Sequence, residues 1–598
     1  MSRTARAKLW LATALAACSL GSACDEGGPS EPDAGAASRA PGYPPGPYAI
    51  AEGATLPDLA FEGLSADGLR ATLRLSDFLA AEEDEPRLLV IQVSGGLWCG
   101  TCRWTASHFD DTLGAGLQSQ VDRFDLVVRN RDNGPASADL DPLAWRDAVG
   151  AERVPVGVDP SFQMGAALSG LAAPLPLVLL VDPQTMTLSR ALSNPAPTEL
   201  RYQIERTLAD LGGEPPPEKP HAPLVDDLFY ESEWDMLTAM AAVPDAPPPD
   251  PTNEVADSPA ARALGEALFF DTALSPSGSV ACSTCHAEDE ALSDGLPRAV
   301  GVAEGPRRTP SIALASHARW QNWDGRADSL WAQALGPFEN ELEYDSSRVF
   351  VARRVLSNYA SAYLAAFPGS LLPNTTAWPA AGKPGEPAYD ALPAAEQHAI
   401  TQVFVNIGKA IAAYERTFRV APTAFDSYVQ GNSGALSQEE KYGLQLFVRK
   451  GCTQCHWGPR LTDDAFHDTH AEAPLPSRRV DGGRAQGIEH WLTSEFRADG
   501  AWADQPTSEH HAEANDLALG QFKTPSLRGV ADLAFFGHAG GATALAAVTE
   551  AYGSGGAAVA EGPASGARDP WLMSFGETAQ WGLVPFLRTL TLGTQAKP

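Results

Sequence analysis

No apolar run in this 598-residue chain approaches the ~20 residues that an internal membrane-spanning helix needs. Basic residues are scarce. Lysine and arginine total 43 against 75 acidic residues, a net charge of −32, which argues against nucleic acid or an anionic membrane face as the main partner and favours a small or basic one. No cysteine is left over for a conventional disulfide framework. All eight fall into recognisable slots: Cys18 and Cys24 near the start, Cys99 and Cys102 in one CxxC, and Cys282/Cys285 and Cys452/Cys455 in two CxxCH motifs. At 44% hydrophobic the chain can bury large cores, and its length suggests about four folding units.

Residues 1–8 carry three positive charges and residues 9–17 are apolar, which reads as a signal peptide over 1–24. Leu15-Ala16-Ala17-Cys18 has the form of a lipobox, predicting lipidation at Cys18; Cys24 is a second candidate, and ordinary cleavage after Ala23 is the alternative. The chain is therefore expected to be exported to the periplasm or cell envelope, touching the membrane only through an N-terminal lipid anchor. Residues 25–46 are rich in Gly, Pro, Ser and Ala and read as a flexible tether. Over 47–211 buried-strand patterns such as RLLVIQVSGG (87–96) and LPLVLLVD (175–182) alternate with helical ones, predicting an α/β domain. Two proline-rich stretches make 212–252 a linker with a short helix. Beyond it the periodicity is helical, with long loops and almost no strand patterning.

Each CxxCH follows an amphipathic helix, so residues 253–430 and 431–598 read as a duplicated unit. Cys282, Cys285 and His286, with Cys452, Cys455 and His456, match c-type haem attachment: two thiols add to the porphyrin vinyl groups and the adjacent histidine binds iron. A zinc or redox CxxC with a chance histidine is the alternative, and two copies in one exported helical region weigh against it.

LGEALFFDTALSPSGSVACSTCH, RRTPSIA, WDGRADSLWAQALGPFENELE, GLQLFVRKGCTQCHWGP and FKTPSLRGVADLAFFGHAGG together resemble the bacterial dihaem cytochrome c peroxidases and the related MauG group. The resemblance implies two covalently bound haem c groups in two mainly α cytochrome c-like domains, and reduction of H2O2 with electrons from a cytochrome c or cupredoxin. The first haem would be the peroxide site. By this match Glu343 would be its acid/base group, Gln333 would orient the peroxide, and Trp323 would relay electrons between the haems. Core packing for Trp323 and a solvated carboxylate for Glu343 are the alternatives. The second haem, at His456, would take electrons from the donor. The family's calcium ion would sit near Thr524–Arg528, and His467 would contact a propionate or pack. A MauG-like enzyme that oxidises a protein partner and a non-catalytic electron-transfer module are the competing functions.

The chain departs from that pattern twice. Residues 287–316 contain no histidine to cap the first iron, though His317 follows. In His538–Thr543, where the sixth-ligand region begins, there is neither the methionine of the peroxidases nor the tyrosine of MauG. Met573, the sole methionine after Met240, is then either that ligand or a packing residue.

Trp98-Cys99-Gly100-Thr101-Cys102, following a buried strand, resembles the thioredoxin active-site motif. The resemblance makes Cys99 the nucleophile and Cys102 the resolving thiol, and puts Leu175-Pro176 at the family's cis-proline. A static disulfide or a degenerate domain is the alternative. The predicted fold is thus multidomain: a thioredoxin-like α/β domain followed by two helical haem domains.

Overall fold

A computed structural model describes residues 41–80, 86–97, 99–128, 141–159, 164, 175–219, 224–241, 246–470, 481–507, 510, 519–555 and 574–593. Cys18, Cys24, Trp98 and Met573 lie outside the described residues.

The N-terminal domain is a seven-stranded sheet in the order β2-β1-β5-β4-β3-β6-β7. Its strands are β1 (Ala60–Leu64), β2 (Arg70–Arg74), β3 (Leu88–Ser94), β4 (Val121–Val128), β5 (Val156–Asp159), β6 (Leu177–Asp182) and β7 (Thr187–Ser193). β3 and β4 run parallel, as do β4 and β5, while β6 joins β3 antiparallel. Every residue of β3 is buried, because successive side chains serve opposite faces and both faces are covered. Leu89, Ile91 and Val93 join the core that holds Cys99 and Cys102, and Leu88 and Val90 join the one under helix Pro197–Gly212. This is the expected thioredoxin-like domain, and Leu175-Pro176 is cis as the resemblance implied.

Two helical modules follow. The first packs helices Pro259–Phe269, Leu330–Glu339, Arg348–Asn358 and Ala394–Glu415 around Trp331, Phe338 and Phe404. The second packs Ala424–Val429, Gln438–Arg449 and Glu577–Leu587 around Phe425, Phe447 and Phe586. Helix Glu231–Ala241, which the sequence placed in a linker, is part of the second module. Met236, Leu237 and Met240 are buried in its core, and Glu233 pairs with Arg449 at 2.9 Å. The short helix expected there exists, but its apolar face packs into the second module instead of lying in a free connection.

Polar ties join the two helical modules. Arg307 bonds Asp324 of the first and Asp481 of the second. The Lys523 backbone N–H donates to the Trp323 carbonyl at 2.8 Å. No helix among the described residues is long and apolar enough to cross a membrane.

Candidate dihaem site

The two CxxCH motifs are built alike. Cys282–Cys285 forms one helical turn and Cys452–Gln454 another. Each histidine then places Nδ1 against a backbone carbonyl a few residues on, His286 to Leu292 at 3.0 Å and His456 to Leu461 at 3.1 Å. Both leucines are buried with left-handed φ, which turns the chain back toward its histidine. With Nδ1–H donating, the Nε2 lone pair of each ring is left for a metal. Burial lowers both imidazole pKa values, so both rings are neutral and able to ligate. Burial also pushes the Cys282, Cys285 and Cys452 thiols up to about 12. All four thiols are free of disulfides, as addition to haem vinyl groups requires. The residues present therefore fit a c-type haem at each motif.

Beside the first motif lies a cavity of about 600 Å³. Cys285, His286, Trp323, Arg326, Gln333 and Glu343 all line it, so the structure brings the predicted residues of the first site together. Gln333 is carried by helix Leu330–Glu339, whose buried face (Trp331, Leu335) leaves Gln333 toward the cavity. Glu343 follows the end of that helix. Its backbone carbonyl accepts from Val302 N–H at 2.9 Å, and Gly301 permits this approach because a Cβ there would lie 2.4 Å from that oxygen. Asn340 Nδ2 donates to Glu343 Oε1 at 2.6 Å. Burial raises the Glu343 pKa above the usual carboxylate range, while Arg326 and the Asn340 bond pull it partly back.

Trp323 is buried and its indole N–H donates to the Arg308 carbonyl at 2.9 Å. The cavity continues past it to Arg460, Thr462 and Lys523 of the second module. His317 does not line the cavity, whereas its neighbours Ala315 and Ala318 do; among the described residues His286 is the one histidine in the lining. Around Thr524–Arg528 the Thr524 carbonyl accepts from Thr462, Arg528 is paired with Asp426 at 2.8 Å, and Lys523 and Arg460 stand close by. Arg460 pairs with Asp464, and Lys523 lies near Asp464 and Asp463, so the charges around this stretch are balanced, and calcium stays a family expectation.

At the second motif, His467 Nε2 lies 2.8 Å from Asp463, and both sit near Cys455. Tyr552, which the sequence reading passed over, also faces this motif. It lies on helix Leu545–Gly553, its hydroxyl bonded to Thr469, with Cys455, Cys452 and His467 as titratable neighbours; burial is the main reason its pKa rises to about 12. The available signal was a tyrosine nine residues beyond His538–Thr543, on a helix whose register sets its direction.

Glu415 was also missed. It ends helix Ala394–Glu415 beneath Cys282, its Oε2 is buried with no hydrogen-bond partner, and burial alone raises its pKa to about 8. A carboxyl raised on folding is favourable while protonated and loses that advantage as pH rises through the folded value. The protein is therefore expected to lose stability between about 4.5 and 8, at up to about 1.4 kcal/mol per pH unit from this group. Thermal melts of Glu415→Gln should lack that slope; an identical pH profile would contradict it.

Cys99 and Cys102 form a disulfide, with Cys99 as the N-cap of helix Gly100–Ser107 and its Sγ accepting from the Cys102 N–H at 3.2 Å.

Residues 259–434 match the family model for di-haem cytochrome c peroxidase. Cytochrome c551 peroxidase of Pseudomonas aeruginosa is 33% identical over 242 residues, 39% of this chain and 62% of that protein, so the match spans less than two thirds of this relative. Methylamine utilization protein MauG of Methylophilus methylotrophus is 30% identical over 298 residues, 49% of this chain and 71% of that one. Among solved structures, a MauG-like protein associated with microbial copper homeostasis is similar at a TM-score of 0.42 and 23% identity, covering 59% of this chain and 95% of that one.

Proposed function

Because the chain belongs to the dihaem cytochrome c peroxidase and MauG family, we propose that it is an exported oxidoreductase that reduces H2O2 to water with electrons from a small redox protein. The observation that carries this reading is the convergence of Glu343, Gln333 and His286 on one cavity, with Trp323 at its boundary with the second module. A haem held by Cys282, Cys285 and His286 would supply the iron chemistry that activates peroxide. Glu343, with its raised carboxyl pKa, takes the proton from the nearer peroxide oxygen and returns it to the farther one, which then leaves as water. The Gln333 amide orients the peroxide. Arg326 stabilises the negative charge that develops as the O–O bond lengthens, and Trp323 carries electrons across from the second site. The balance is H2O2 plus two electrons and two protons giving two waters. Cys18 would hold the protein at the membrane.

A steady-state assay with reduced cytochrome c tests this reading. Two cytochromes should be oxidised per H2O2 consumed, and no oxidation of any small cytochrome or copper protein would contradict the donor assignment. A second reading, oxidation of a protein partner in the MauG manner, is favoured by the single-histidine cavity and by Tyr552 at the second motif. Oxidising equivalents that persist after peroxide, with no donor present, would select it.

A further inference from the structure

The thioredoxin-like domain does not sit apart from the haem modules. Its active-site helix is laid onto the second CxxCH turn, helix Gly100–Ser107 packing against Cys452–Gln454. Between the two cysteines, Gly100 meets Trp457, the residue after His456. A Cβ at Gly100 would lie 2.1 Å from the indole ring, so the backbone here fits against the ring only because residue 100 is glycine. Next to it, the Thr101 hydroxyl reaches the Met236 sulfur at 3.9 Å, on the helix that packs into the second module. Ala465, two residues before His467, packs against the same apolar cluster that contains Cys99 and Cys102. Both cysteines are 0% exposed.

In this position the disulfide is sealed from solvent yet stands one glycine and one indole away from a haem-ligating histidine. A thiol-exchange site meant for outside proteins needs its nucleophile accessible. A relay needs the reverse, namely close, dry and aromatic contact with its acceptor. From this geometry we propose that Cys99 and Cys102 are a built-in electron donor to the second haem site, delivering through Gly100 and Trp457. The proposal rests on reading Cys452, Cys455 and His456 as a haem site.

The dithiol gives up two electrons and two protons as the Cys99–Cys102 bond forms. The electrons would pass singly: loss of the first leaves a disulfide radical anion shared by the two sulfurs, loss of the second completes the disulfide, and a haem held at His456 would take each in turn, handing on the first before accepting the second. Passed on to the first site, two electrons and two protons convert one H2O2 into two waters. An outside dithiol, small molecule or protein, reloads the pair by disulfide exchange after the domain lifts off. Residues 213–219, mostly exposed and tied back only where Lys219 pairs with Glu199 at 2.9 Å, lead out of the domain and would give as it moves.

The test uses the full-length holoprotein with both haems ferric, mixed anaerobically with dithiothreitol. Two readouts are taken together: growth of the ferrous haem band, and alkylation of Cys99 and Cys102 counted by mass spectrometry in quenched samples. The wild type should reduce its second haem at least tenfold faster than Cys99→Ser/Cys102→Ser. Gly100→Ala keeps both thiols but forces the domain off Trp457. It should expose the disulfide to faster reduction while slowing haem reduction severalfold. Equal haem reduction in the wild type and the double serine variant would overturn the proposal, as would a Gly100→Ala protein that matches the wild type in both readouts. No peroxide is present, so failure here leaves the peroxidase reading standing, and that reading is judged separately through Glu343.

Discussion

Replacing Glu343 with glutamine is expected to lower kcat/KM for peroxide by about 10²–10⁴-fold, the usual contribution of a positioned acid/base group, while both haems stay attached. Glutamine keeps the volume and can still meet Asn340, so the cavity is preserved and the missing function is proton transfer. The base must be ionised to act, and burial raises its pKa. Turnover by the wild type should therefore rise with pH through that raised value, and the residual activity of the variant should not follow it. A pH profile of kcat/KM for both proteins decides the matter. Unchanged turnover in Glu343→Gln would remove Glu343 from the mechanism and leave Arg326 and Gln333 as the polar groups nearest the peroxide.

Exchanging Tyr552 for methionine should raise the reduction potential of the second haem by on the order of 100 mV or more, because the identity of an axial ligand is a main lever on haem potential. Tyr552 would be the ligand tested here, because its buried phenol, bonded to Thr469, shares its surroundings with Cys452 and Cys455. Potentiometric titration with optical detection separates the two haems. Tyr552→Phe should alter the spectrum of the same haem by removing the ligand altogether. If neither variant shifts the potential or the spectrum, the sixth position of that haem is filled by another group.

How much of this was legible beforehand differs residue by residue. The haem motifs were legible because attachment is local: two thiols and a histidine within five residues specify it. Gln333 and Glu343 were picked out only by the family resemblance, and no physical signal in the sequence alone set Glu343 apart from its acidic neighbours. Its clamp by Val302 and Asn340, and its burial, exist only after folding. Tyr552 escaped because its place beside Cys452 and Cys455 depends on where helix Leu545–Gly553 packs, not on its distance along the chain. Glu415 looked like the polar end of an amphipathic helix, whereas all of that helix from Val403 onward is buried. The contact of Gly100 with Trp457 joins two motifs that were each recognised, across 357 residues that no local pattern spans (457 − 100).

The central claim is that the first site is open to peroxide in the resting protein, since His286 is the one histidine lining its cavity among the described residues. Rapid mixing of the fully oxidised holoprotein with H2O2, with no reductant present, tests it most directly. The account predicts an immediate change in the haem absorption at one equivalent of peroxide. A spectrum that stays still until one electron has been added would contradict it, and would mean that a ligand from outside the described lining caps the first iron.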